Sequence, residues 1–223
     1  MSEDILEYYN SISPNWKLPK GVSLLYPFDN PDTQQAMQAF YSKYFKSDNK
    51  RWLILGINPG RLGAGVTGVP FTDPKILEQE LKIKNPFSKK HELSSIYVYE
   101  LINAFGGPAK FYKSFFVSSV CPLGFTKNGI NYNYYDDKDL YKAVEKNIIK
   151  YIKKQLELPI RTDVVFSWGK GKNYKFLKAL NDKHQWFENI IPQPHPRWVM
   201  QYRRKSKEEI MDEVLQQLVK KKV

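Results

Sequence analysis

Residues 51–60 read Arg51-Trp52-Leu53-Ile54-Leu55-Gly56-Ile57-Asn58-Pro59-Gly60. A short apolar run stopped by glycine and proline is the signature of a strand buried on both faces. The pattern returns at Phe115-Phe116-Val117-Ser118-Ser119-Val120, stopped by Pro122, and at Asp163-Val164-Val165-Phe166-Ser167-Trp168-Gly169. Asn189-Ile190-Ile191-Pro192 is a brief fourth run. Helical patterns lie between and around them, at residues 93–105, 137–158, 171–180 and 205–218. Asp32 or Thr33 is expected to cap an earlier helix ending near Phe45. Strands separated by helices imply right-handed crossovers. The expected fold class is therefore α/β, a three-layer α/β/α arrangement with a central, mostly parallel four-stranded sheet. Residues 1–31 hold Pro14, Pro19, Pro27 and Pro31 and are expected to be irregular. No repeat, low-complexity stretch or Gly/Ser linker divides the chain, so one domain over 1–223 is expected.

Composition narrows the chemistry. A chain of 223 residues, 42 % of them apolar, can bury a core without a staple. The single cysteine, Cys121, excludes an internal disulfide and an iron–sulfur cluster and reads as a packing residue. His91, His184 and His195 stand in no ligand spacing, so neither a metal nor a cofactor is expected. No apolar run reaches the length of a membrane span. The acidic opening MSEDILEYYN has no apolar centre, so no secretory leader is expected and a cytoplasmic location is. The net charge is +12, and it is uneven. Residues 1–50 carry five basic and six acidic side chains, so the excess lies in the rest of the chain. A basic body points to a polyanionic partner, most simply nucleic acid. The lysines of residues 137–158 lie mostly off the apolar stripe formed by Leu140, Val144, Ile148, Tyr151, Ile152 and Leu156, and read as a solvated face.

In parallel sheets, ligands bind beyond the carboxyl ends of the strands. The segments after Gly56, Val120, Trp168 and Ile191 therefore carry the functional reading. The first continues through Arg61-Leu62-Gly63-Ala64-Gly65-Val66-Thr67-Gly68-Val69-Pro70-Phe71. Its G-x-G-x-x-G is no dinucleotide fingerprint, because the fingerprint must open a helix directly after a strand, and here Asn58-Pro59 precedes it and Val69-Pro70 follows. What remains is a glycine-rich loop with one uncharged polar residue, Asn58, ending in the aromatic Phe71. The last segment is Pro192-Gln193-Pro194-His195-Pro196-Arg197-Trp198, with Arg203 and Arg204 close behind. Three alternating prolines stiffen it. Arg197 and Trp198 suit phosphate contact and base stacking.

These residues resemble a known family. The loop from Gly56 to Gly60, continuing through Thr67-Gly68-Val69-Pro70-Phe71, looks like the first motif of the uracil-DNA glycosylase superfamily. It is most similar to the single-strand-selective monofunctional branch, in a divergent bacterial subgroup. Val120-Cys121-Pro122-Leu123 resembles that branch's base-recognition strand, and Pro192 to Arg197 its second motif. The resemblance spans Trp52 to Arg204. It implies hydrolysis of the N-glycosidic bond of a deaminated base in DNA, initiating base excision repair by a bacterial cytoplasmic enzyme working at the nucleoid. It implies catalytic roles for Asn58 and His195. Base contacts are implied for Gly56, Ile57, Pro59, Gly60, Phe71, Ser119 and Gln193. DNA contacts are implied for Gly63, Pro194, Pro196, Arg197, Trp198, Arg203 and Arg204.

Two positions depart from the family pattern. The family's base-reading Asn falls on Ser119. Its catalytic His falls on Gln193, and His195 stands two residues later, where the family has Ser. Successive prolines alternate direction along this segment, so His195 is expected to enter the same pocket from the same face, with Gln193 as the alternative neutral donor. Asn58 can orient the attacking water but cannot act as a strong base, because an amide does not ionise. The first motif holds no acid and no lysine. The expected enzyme is therefore monofunctional. A monomer is expected, acting on single-stranded DNA or on a nucleotide flipped out of a duplex. The alternatives are a DNA-binding relative with weak or lost catalysis and a glycosylase for a different damaged base.

Overall fold

The structure is a computed structural model and describes residues 1–220. Residues 1–31 are not irregular: they carry α1 (Ser2–Asn10), which buries Ile5, Tyr8 and Tyr9, and β1 (Val22–Leu25). Pro14, Pro19 and Pro27 fall between elements rather than inside them. Pro31 opens α2 (Pro31–Tyr44), where its missing N–H costs nothing. The cap of α2 is Asn30, two residues before Asp32 and three before Thr33. Its side-chain oxygen accepts from the N–H groups of Asp32 (2.9 Å) and Thr33 (3.2 Å).

β2 (Arg51–Gly56) follows, buried at every position. The loop after it winds into two short helices, α3 (Ala64–Thr67) and α4 (Pro74–Gln79). Then come α5 (Leu93–Ala104), α6 (Pro108–Ser114) and β3 (Phe115–Ser119). A hairpin of β4 (Gly124–Lys127) and β5 (Ile130–Tyr132) precedes the long α7 (Lys138–Leu156). The chain ends through β6 (Ile160–Trp168), α8 (Lys172–His184), β7 (Asn189–Gln193), α9 (Pro196–Tyr202), a 3-10 turn at Arg204–Ser206, and α10 (Lys207–Lys220).

The central sheet runs β3-β2-β6-β7, and every neighbouring pair is parallel. Helices cover both faces, which gives the expected three-layer α/β/α architecture. All four carboxyl ends therefore open on one edge. In α7 the residues Leu140, Val144, Ile148, Tyr151 and Ile152 are buried, while Lys142, Lys146, Lys150 and Lys153 face solvent. A second sheet, β1-β4-β5, is antiparallel and was not legible from strand runs this short. It brings the β4–β5 hairpin beside the loop that follows β2.

Candidate active site

The first motif is delivered by continuing the β2–β3 pairing past the strand ends. Gly56 stands opposite Ser119, the Val120 N–H donates to the Gly56 carbonyl (3.0 Å), and the Cys121 N–H donates to the Ile57 carbonyl (3.0 Å). Asn58 is thereby fixed just beyond the sheet. Its amide is largely spoken for. Nδ2 donates to the Pro59 carbonyl (3.4 Å) and the Tyr132 carbonyl (3.3 Å), and Oδ1 accepts from the Tyr134 N–H (3.3 Å). Turning the amide over would set N–H against N–H, so the network defines its orientation. An amide oxygen has two lone pairs. Asn58 lines the cleft, and its second Oδ1 acceptor site has no partner among the described residues, which is the function needed to orient a water.

Phe71 lines the same cleft. Its φ of 52° is left-handed, an uncommon conformation for an aromatic residue. The ring is held by the edge of Trp168 (4.8 Å, 89°) and flanked by His195 (5.9 Å). A β-carbon on Gly56 would meet the Phe71 ring at 2.6 Å, so the glycine permits the ring to sit against the strand end.

His195 is the N-cap of α9. Its Nδ1 accepts from the Arg197 N–H (3.2 Å), which leaves Nε2 to carry the proton of the neutral ring. Burial in the cleft wall, with the Arg197 guanidinium nearby, pushes the imidazole down to about 4. At neutral pH His195 is thus an uncharged N–H donor. Gln193 does not share its face, and this corrects the alternation argument. Gln193 is fully buried; its Oε1 accepts from Trp168 Nε1 (2.9 Å) and its Nε2 donates to Gln217 Oε1 in α10 (3.0 Å). β7 ends at Gln193 and the chain turns into α9, so the two-residue period lapses before it reaches His195.

Ile57, Asn58, Pro59, Gly60, Phe71, Ser119, Pro194, His195, Arg197 and Trp198 all line one cleft of about 680 Å³. Gly56, Gly63 and Pro196, expected to contact base or DNA, are not among the lining residues. Arg203 reaches the rim by lying over Trp198 (5.0 Å), whereas Arg204 is exposed outside the lining. Cys121 is buried, and its thiol donates to the Leu123 carbonyl (3.3 Å). The rim also holds Arg61, Lys170 and Lys172, and the exposed apolar side chains Ile130 and Tyr202.

Sequence reading missed four contributors. Asn131 accepts from the Arg61 N–H (3.0 Å) and steadies the loop. Tyr134 and Asn173 surround Asn58 and Gly56. Glu92 is the one acid among the residues lining the cleft, and its carboxylate occupies the space that β-carbons on Gly60 and Gly63 would need. Burial pushes the Glu92 carboxyl up, against the lowering effects of a Ser94 hydrogen bond and Arg197. Only the segment after Trp168 carried a signal, as a strand end; Glu92 arrives from the start of α5 with none. Among the described residues no cluster of three or more His, Cys, Asp or Glu is placed to hold a metal. Among them, too, no helix is long and apolar enough to cross a membrane.

A family model described as the uracil DNA glycosylase superfamily matches residues 42–219. The chain belongs to that superfamily. Within it, the chain is similar to SMUG2 of Pedobacter heparinus, whose wild-type crystal structure superposes with a TM-score of 0.93 at 45 % sequence identity. The match covers 96 % of this chain and 95 % of that one. The family model agrees with the superfamily that the motifs resemble, and the structural match agrees with its single-strand-selective branch.

Proposed function

We propose that this protein is a monofunctional glycosylase that hydrolyses the N-glycosidic bond of uracil, or of a related deaminated or oxidised pyrimidine, in DNA. It acts as one domain and as a monomer. The observation that carries the reading is the pairing of two groups in one cleft: the free Oδ1 acceptor site of Asn58 and the neutral Nε2–H of His195.

The chemistry follows from those two groups. The target base enters the cleft unstacked, either from a single strand or by flipping, which costs a few kcal/mol in a duplex. Phe71 offers it an aromatic face. The bond between the sugar C1′ and the base nitrogen breaks, leaving positive charge on the sugar and negative charge on the base. His195 donates a hydrogen bond to a base oxygen and stabilises the anion without transferring a proton. Asn58 accepts a hydrogen bond from water, whose oxygen attacks C1′ and whose proton is lost to solvent, while the base leaves as the anion. The cationic rim of Arg61, Lys170, Lys172 and Arg197 holds the phosphates.

A second reading, release of a different damaged base, is favoured by Ser119. Its short hydroxyl stands where the family has a base-reading Asn, and it leaves room for a larger base.

The test is an end-labelled single-stranded oligonucleotide carrying one uracil, treated with alkali after incubation, beside a panel of other lesions. Wild type is expected to release uracil. Asn58→Ala and His195→Ala are each expected to lose about a hundredfold or more. DNA binding without release of any base would overturn the reading.

A further inference from the structure

Asn58 sits in a closed circuit of hydrogen bonds drawn from three separate parts of the chain. The Tyr134 N–H donates to Asn58 Oδ1 (3.3 Å). The Tyr134 phenol donates to Asn173 Oδ1 (2.8 Å). Asn173 Nδ2 donates to the Gly56 carbonyl (3.4 Å), two residues before Asn58, and to Ser167 Oγ (3.4 Å). Tyr134 and Asn173 are both buried, and the phenol is held protonated because burial pushes it up.

The circuit matters because of where its parts stand. Tyr134 lies in the turn after β5, with no ladder to fix its backbone. Its N–H is nevertheless the group that takes one Oδ1 lone pair of Asn58 and so decides which way the other points. The phenol–Asn173 bond fixes the Tyr134 side chain, and Asn173 is fixed in turn to the strand end that carries Asn58. Asn173 is on the first turn of α8, directly after Lys170 and Lys172 at the cleft rim.

We propose that Tyr134 and Asn173 are positioning residues that act through Asn58, aiming its free acceptor site at the attacking water. This rests on the proposed function. Tyr134 lies outside the cleft lining, and Asn173, which touches it, has its amide engaged by Tyr134, Gly56 and Ser167. A polar circuit in a buried site loses most when one member is removed, because the remaining groups stay unsatisfied. A displacement of about 1 Å at a water-orienting group is enough to cost up to about a hundredfold in rate.

The experiment is a double-mutant cycle read in single-turnover kinetics. Tyr134→Phe keeps the ring and removes the phenol oxygen. It is expected to lower the base-release rate by about tenfold with DNA affinity unchanged. On the Asn58→Ala background the same change should cost less than about twofold, because the residue through which it acts is gone. Equal losses on both backgrounds, or no loss on either, would overturn the proposal. Asn173→Ala, run through the same cycle, serves if Tyr134→Phe does not fold. The second readout is independent of activity: the Asn58 side-chain NH2 pair in a 15N–1H spectrum, assigned by its disappearance in Asn58→Ala. That pair is expected to move in Tyr134→Phe, and an unmoved pair counts against the circuit. A wild type that releases no base overturns the proposed function and leaves the spectrum to decide the positioning role.

Discussion

The ring of Phe71 stands where a side chain on Gly56 would begin, with Cε2 at 2.6 Å from the position of a β-carbon. Gly56 is the last residue of β2, in extended conformation, so the glycine is there for close approach and not for turning. The left-handed backbone of Phe71 costs on the order of 1–3 kcal/mol. Its packing under Trp168 and beside His195 offsets that cost.

Gly56→Ala should therefore damage the site from behind. The added methyl is expected to destabilise the fold by about 1–3 kcal/mol by overpacking. It is also expected to lower base release by about a hundredfold, because the ring must move by about an ångström. Thermal melts and single-turnover rates measure the two effects. In Gly56→Ala combined with Phe71→Leu, stability should return and activity should not.

His195 should remain uncharged across the neutral range, because its imidazole is pushed down to about 4. An NMR titration should find no protonation between pH 8 and pH 5.5, and base release should have no limb from this residue there. The stability sign follows. The unfolded chain takes up a proton near pH 6.5 that the folded chain refuses. His195 thus costs stability as pH falls from about 6.5 towards 4. The melting temperature of His195→Gln should fall less steeply than that of wild type over that window.

Gln193→Ala should behave in the opposite way to His195→Ala. It leaves the Trp168 indole N–H buried without its partner, for a loss of about 1–3 kcal/mol in stability. Base release by the folded fraction should fall less than about threefold, since a structural loss is not a loss of transition-state contact. A hundredfold loss with an unchanged melt would return Gln193 to the chemistry.

Glu92 places an acid in a cleft whose other charged lining residues, Arg61, Lys170, Lys172 and Arg197, are cations. Glu92→Gln should tighten binding of single-stranded DNA several-fold at low salt, and the gain should shrink as salt screens it. The raised carboxyl means that the ionised form is disfavoured in the fold. The stability it contributes is present at acid pH and lost as pH rises through the raised value. Glu92→Gln should accordingly melt higher than wild type at pH 7, with the difference closing in acid. Anisotropy titrations and melts at two pH values check both.

Much of the fold and part of the site are legible in the order of residues. The apolar runs of β2, β3 and β6 and their breakers are local signals, and they locate the sheet edge at which Asn58, Phe71, Ser119 and His195 gather. The N-terminal elements were obscured by their prolines, which mark element ends as readily as loops. The small sheet was hidden because strands of three or four residues carry too few alternations to register. Glu92, Tyr134 and Asn173 left no mark because each is brought to the loop after β2 by packing of distant segments, and no local period encodes that.

The parallel sheet, the strand-end loop from Gly56 to Gly60 and the family to which they belong can be read from the order of residues. Each of these is written in short-range patterns of burial, turn chemistry and motif spacing. That His195 faces the cleft and Gln193 faces α10 follows only from the packed chain. Alternation holds only while a strand lasts, and the chain leaves β7 between the two residues. Tertiary packing also sets which lone pair of Asn58 is taken, because the Tyr134 N–H that takes it and the Tyr132 carbonyl that accepts from Nδ2 both lie more than seventy residues along the chain.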